Sequence, residues 1–271
     1  MRKALKLALD REQIECKNKY NEIDAFEIHL FGDERDDFSL YPLIEKPLTT
    51  IHYALYRSDI LDIANEYESE YTQKVFELAE KADVGIVVHA ESRAFNIYNK
   101  PEVEAFCKYI KERGIKLHVE NCYRNIGAVE ALEIMHYMRD RIDDKHVFPL
   151  LDTCHLMMSE MSFKYDELSI PKAIDAYKSK CFKMHLNDCI GSGEKETGGI
   201  HGTNFSHNLY LLNNILWKLY NLEKEGYHPD LILEIDEKDY IRMPEAIELA
   251  HNIDMFWNSY IEQEELENSL H

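Results

Sequence analysis

KLHVEN (116–121), FPLLDTCH (148–155), FKMHLND (182–188) and LILEID (231–236) are four apolar runs that each end on a side chain able to bind a metal. The candidates are Glu120, Asp152 with His155, His185, and Glu234. The first three runs place Glu120, Asp152 and His185 at intervals of 32 and 33 residues, and 49 residues with a Gly-rich insertion separate His185 from Glu234. The shorter interval is the length of one strand, one helix and two short loops. Side chains at successive strand ends converge only if the strands lie side by side and parallel, as on the C-terminal rim of a barrel.

A chain of 271 residues with 45% hydrophobic side chains can bury one large core, and no Pro/Gly/Ser-rich linker divides it. One domain over residues 1–271 is therefore expected. Against 31 Lys and Arg stand 51 Asp and Glu, a formal charge of −20. Such a surface repels phosphate backbones and argues against a nucleic-acid partner. It suits a small-molecule ligand, and composition admits either a monomer or an oligomer. The six cysteines contain no CxxC pair, and the start MRKALKLALDREQ is too interrupted by Lys6 and Asp10 for a signal peptide. No apolar run approaches the ~18 residues of a membrane span. A reducing cytoplasm with free thiols is the expectation.

Eight apolar or β-rich segments run through the chain: 4–9, 25–31, 48–56, 84–90, KLHVEN, VFPLLDT (147–153), CFKMHL (181–186) and LILEID. Helical periodicity fills most intervals. One long helix is expected from Ser58 or Asp59 to Lys81, one opened by Pro101 and closed by Gly114, one over 128–141, one near AIDAYKSK (173–180), one ending at Gly226 and one from Pro244. Pro149 suggests an irregular start to strand six. Strands alternating with helices favour a closed α/β architecture, the TIM (β/α)8 barrel, over an open doubly wound sheet. The Gly-rich loop 188–208 is expected to be functional. Glu27 and His29, with His52 and His89, could line a polar pocket for sugar hydroxyls, and Lys183 reads as a solvated side chain near a strand start.

VEN (119–121), LLDTCH (150–155), HLND (185–188) and LEI (233–235), in that order, resemble the xylose isomerase-like barrel superfamily, which holds sugar isomerases, epimerases, inosose dehydratases and endonuclease IV. The resemblance implies that Glu120, Asp152, His185 and Glu234 bind one divalent ion, Mn²⁺, Mg²⁺, Co²⁺ or Zn²⁺. It also implies that Glu120 and Glu234 exchange the substrate proton. Three carboxylates and one imidazole are hard enough for Mn²⁺ and Mg²⁺ and still tolerate Zn²⁺. DTCH followed by HLND is similar to endonuclease IV, whose further ligands are partly matched. His89 and His155 fit, no second His lies between 90 and 117, and GGIHGTNF supplies His201 without the accompanying Asp and Arg. His52, His89, His155 and His201 are the accessory metal or substrate contacts.

The expected activity is a metal-dependent isomerase or epimerase acting on a small sugar, sugar phosphate or polyol. The alternative is an endonuclease IV-like phosphodiesterase acting on DNA. The acidic charge has a direct consequence: duplex DNA at physiological salt should bind no more tightly than about millimolar. Fluorescence anisotropy with a labelled duplex measures this, and micromolar affinity would contradict it.

Overall fold

The computed structural model describes residues 1–54, 57–90, 97–122, 127–163, 169–190 and 200–270, without the side chains of 159–163, Ile190, Ile200 and His201. Eight parallel strands close into a barrel: β1 (Arg2–Leu7), β2 (Ala25–His29), β3 (Leu48–His52), β4 (Gly85–Ala90), β5 (Leu117–Asn121), β6 (Val147–Asp152), β7 (Lys183–Leu186) and β10 (Asp230–Leu233). They follow one another around the barrel in chain order, and β10 closes it against β1. Each of the eight expected segments supplies one strand. The expected (β/α)8 barrel is therefore the observed fold.

Helices α1 (Arg11–Lys17), α2 (Ile60–Glu66), α3 (Glu70–Ala82), α4 (Pro101–Arg113), α5 (Ala128–Arg141), α6 (Thr153–Phe163), α7 (Ile170–Tyr177), α8 (Leu209–Lys224) and α9 (Pro244–Ser269) follow the strands. The single helix expected over 58–81 is two. Ser69 has extended backbone and its hydroxyl accepts from Thr72 N at 3.2 Å, so it caps a new helix and stops the old one. Between β6 and β7 the chain makes α6 directly at the strand end, and the expected 173–180 helix starts earlier, at Ile170, with Pro171 in its first turn. Pro149 sits inside β6, but pairing to β7 begins only at Leu150, so its missing N–H breaks no bond of that ladder. A short antiparallel hairpin, β8 (Asp188–Ile190) with β9 (Ile200–Thr203), lies where the sequence reads as loop, and residues 191–199 lie outside the description. Among the described residues no helix is long and apolar enough to cross a membrane.

Alternation along the strands sorts the side chains. Outward residues such as Ile28, Ile51, Val88 and Val119 on one side, and Leu5, Leu151, Met184 and Leu233 on the other, pack beneath the helices. Inward, Ala4, Ala25, Val87, Leu150 and Ile232 form an apolar plug that fills the barrel centre. Below the plug, Lys183 pairs with Asp230 at 2.6 Å, and Arg2 pairs with the same carboxylate at 2.7 Å. Lys183, read from sequence as solvated, is thus buried, because its strand turns it into the barrel and Asp230 on the neighbouring strand offers a counter-ion.

His118 also points inward here and stacks on Phe148, with ring centroids 5.4 Å apart. The ring occupies the space a side chain on the neighbouring strand would need: a Cβ on Gly85 would lie 2.5 Å from His118 Cδ2. Gly85→Ala should therefore destabilise the protein by about 1–3 kcal/mol through overpacking. Urea unfolding measures this, and in a His118→Ala background the same change should cost much less. An equal cost in both backgrounds would contradict the steric account.

Candidate metal centre

Two residues beyond the plug, each strand again points inward, and these positions carry the polar groups of the barrel mouth. Glu120 on β5 pairs in register with Leu150 on β6 and His89 on β4, while Asp152 on β6 pairs with His185 on β7. Glu234 follows the last residue of β10. One ligand atom from each of Glu120, Asp152, His185 and Glu234 lies within 4.8 Å of the others. His185 Nδ1 is the hub, 2.8 Å from Glu234 Oε2, 3.0 Å from Glu120 Oε1 and 3.7 Å from Asp152 Oδ2. Edges of about 3 Å are those of an octahedron around an ion with bonds of about 2.1 Å.

The backbone end of each run explains the convergence. Asp152 is held by two asparagines from the neighbouring strand ends. Asn121 Oδ1 accepts from Asp152 N at 2.7 Å, and Asn187 Nδ2 donates to Asp152 Oδ2 at 3.0 Å. Asn187 Oδ1 also accepts from Cys154 N, which fixes the first turn of α6. His155, on that turn rather than on the strand, donates through its backbone N to Asp152 Oδ1, and its Nδ1 lies 2.8 Å from Asn121 O and 3.4 Å from Glu120 Oε1. Gly202 on β9 crosses the end of β10, and with φ +72° and Glu234 O only 3.0 Å from where a Cβ would stand, any side chain here would be strained.

A second group adjoins the first. His52 Nε2 and His89 Nε2 are 3.2 Å apart, and each is 3.3 Å from Glu120 Oε2. Their other nitrogens are occupied, His52 Nδ1 by Tyr53 O and His89 Nδ1 by Ser58 Oγ, both at 2.8 Å. A ring tied through Nδ1 presents Nε2 as a ligand. A tetrahedron with bonds of 2.0–2.1 Å has edges of about 3.3 Å, so this triangle also matches a cation. No second His lies between 90 and 117, and His52, on β3, completes the triangle with His89 and Glu120. The side chain of His201 lies outside the description.

Glu27 does more than line a pocket: among the described residues outside the tetrad it is the most enclosed carboxylate, with no exposed surface. It accepts from Thr50 Oγ1, lies 2.7 Å from His29 Nε2 and stands 3.0 Å from His185 Nε2. A carboxylate behind the far nitrogen of a ligating histidine orients the ring and raises its basicity. The signal available in sequence was an acidic residue inside the apolar run AFEIHLF, in phase with His29.

The arrangement fits a cation on electrostatic grounds. Glu120 Oε2, Glu234 Oε2 and His185 Nε2 are buried and make no hydrogen bond, since their close neighbours are badly aligned for one. Burial opposes ionisation of Glu120, but attraction to His185 and His89 outweighs it and holds the carboxyl well below the usual range. Glu234 behaves likewise, through His185 and His29. Burial disfavours a charge on His185, yet Glu120, Glu27 and Glu234 together raise it well above its ordinary value. His52 is raised to about 9 by Glu120 against the same penalty. Without a bound ion, protonated imidazoles supply the positive charge that the carboxylates require. The cysteines that follow these strands, Cys122, Cys154 and Cys189, form no disulfide and lie outside these groups.

A family model described as xylose isomerase-like TIM barrel matches residues 62–250. The chain belongs to this family. Among solved structures it is similar to a xylose isomerase domain containing protein from Salmonella typhimurium, with 14% identity and a TM-score of 0.57 over 96% of this chain and 97% of that one. A sugar phosphate isomerase/epimerase from Parabacteroides distasonis shows 15% identity and a TM-score of 0.53 over 94% and 96%. The IOLI protein with a bound zinc atom shows 11% and 0.57 over 96% and 99%. None of the curated proteins matches the chain in sequence.

Because His185 and His52 hold protons that a cation must displace, metal uptake should release at least one proton per ion. Affinity for Mn²⁺ or Zn²⁺ should then rise by about tenfold per pH unit between about pH 6 and 8. Titration calorimetry in buffers of different ionisation enthalpy tests this, and an affinity independent of pH would contradict it.

Proposed function

We propose that this family member is a divalent-metal-dependent isomerase or epimerase of a small sugar, sugar phosphate or polyol. The observation that carries the reading is the convergence of Glu120, Asp152, His185 and Glu234 within 4.8 Å at the barrel mouth. A divalent ion held there would polarise a carbonyl or hydroxyl and acidify the neighbouring C–H. Mn²⁺, Mg²⁺, Co²⁺ and Zn²⁺ all suit the donors. Asp152 and His185 act as ligands, with Asp152 fixed by Asn121 and Asn187 and His185 backed by Glu27.

Glu120 and Glu234 both approach His185 Nδ1, at 3.0 and 2.8 Å, and each has an oxygen that makes no hydrogen bond. One carboxylate removes a proton from a carbon beside the polarised oxygen, and the other returns it. Glu234, with its side chain 13% exposed against 0% for Glu120, is the better placed to meet substrate from the mouth. His29, His52, His89 and His155 surround the pair and supply donors for hydroxyl groups. A small enclosed mouth lined this way fits a compact polyhydroxy substrate rather than a polymer.

The His52, His89 and Glu120 triangle supports a second reading, a hydrolase in which these residues would hold a further ion beside the tetrad and the metals would supply activated water for attack on phosphate. Ion stoichiometry separates the two: one ion per chain supports the isomerase, and two or more with cleavage of abasic DNA support the hydrolase. For the isomerase, Glu120→Gln and Glu234→Gln should each reduce bound metal or solvent-deuterium incorporation into a ketose by about 100-fold or more while leaving circular dichroism unchanged. Elemental analysis and proton NMR in D₂O measure these quantities. Unchanged metal content and exchange in both variants would refute the assignment.

A further inference from the structure

The apolar plug takes Ala4, Ala25, Val87, Leu150 and Ile232 from β1, β2, β4, β6 and β10. Side chains two residues on point the same way, which lifts Lys6, Glu27, His89, Asp152 and Glu234 into one layer. Four of these belong to the centre described above. The fifth, Lys6, pairs in register with Glu27, and the pairing of Ala4 with Ile232 carries it alongside Glu234. It is thus the one lysine or arginine of this layer, and it is only 8% exposed.

Its ammonium group makes an ion pair with Asp236 and lies 5.8 Å from the centre of the Tyr240 ring. Asp236 lies two residues past Glu234, on the rim, and its side chain is 44% exposed. At the opposite end of the barrel, Lys183 is neutralised differently, by Asp230 with a side chain only 14% exposed. The counter-ion of Lys6 is therefore one that solvent reaches and a ligand can replace, whereas that of Lys183 is enclosed. The strand end that carries Lys6 is also held firmly, because the buried Lys17 Nζ donates to Lys6 O at 2.9 Å.

We infer that Lys6 is a specificity-determining residue that binds an anionic group of the substrate, a phosphate or a carboxylate, in place of Asp236. This rests on the reading of the mouth as a metal-dependent sugar site. Glu27, Asp152 and Glu234 in the rest of the layer, with Glu120 close by, repel an anion, so the negative end of a substrate lodges on the β1 side. Its neutral hydroxyl or carbonyl end then faces the tetrad. A lysine is a compact point charge suited to either oxyanion. The substrate class is a short polyhydroxy chain with a negative terminus.

Two variants move the result in opposite directions. Mn²⁺-loaded wild type, Lys6→Met, Lys6→Arg and Asp236→Asn are titrated with inorganic phosphate, glycolate and ethylene glycol, and bound Mn²⁺ is counted in each sample. Wild type should bind phosphate or glycolate, and the stronger of the two identifies the oxyanion. Lys6→Met should weaken that anion by about tenfold or more, as expected for a lost hydrogen bond to a charged group. Lys6→Arg should retain most of the binding, and Asp236→Asn should tighten it several-fold. Ethylene glycol should respond to none of them. Wild type that takes up Mn²⁺ but binds neither anion, or Lys6→Met that binds them as well as wild type, overturns the Lys6 assignment alone. If Lys6→Met does not fold, unchanged or weaker anion binding in Asp236→Asn overturns it. Wild type that takes up no Mn²⁺ overturns the metal reading and this one with it.

Discussion

Four carboxylates at the mouth of a closed barrel impose the constraint on which the rest of the structure depends. Glu27 and Glu120 have no exposed side-chain surface, Asp152 none either, and Glu234 little. Leaving water is costly for a carboxylate, and several in one place repel one another. Imidazoles of His52 and His185 answer part of that charge at hydrogen-bonding distance or slightly beyond, and His29, whose own protonation burial opposes, hydrogen-bonds to Glu27. Glu120 Oε2, beside His52 and His89, and Glu234 Oε2, beside His185, remain buried without hydrogen bonds, as suits groups that can hold a cation.

Barrel geometry makes such a concentration possible. In an open sheet, residues at strand ends form a row, but closure of eight parallel strands turns the row into a ring whose members face each other. The plug of small and branched side chains beneath sets a dry floor. Above it, asparagines and the first turn of α6 add precision by fixing Asp152 through backbone and side chain together. The same alternation that builds the plug and the mouth also builds the charged lower layer of Arg2, Lys183 and Asp230.

Much of this organisation can be read from residue order. The eight strands follow from apolar runs bounded by helical periodicity, and the ends of KLHVEN, FPLLDTCH, FKMHLND and LILEID mark where ligand-type side chains leave the core. Glu27 escaped as an orienting group because its role depends on His185, which lies on a strand 158 residues away in sequence. The break at Ser69 was hidden by the apolar spacing, which continues in phase across a cap made by one hydroxyl. Nothing local to Lys183 shows that Asp230 lies beside it, so its burial is legible only in the closed barrel.

Period-two alternation and the equal spacing of strand–helix units are local properties, so the order of amino acids alone sufficed for the barrel, for the face each strand turns inward and for the side chains at its mouth. Distances between those side chains are not local. Which imidazole nitrogen faces which carboxylate, how His52 and His89 come to share Glu120, and why Lys6 joins the layer of Glu27 and Glu234 depend on strand stagger and ring closure. Those are set by pairing between segments far apart in the chain, and only the folded barrel brings them together.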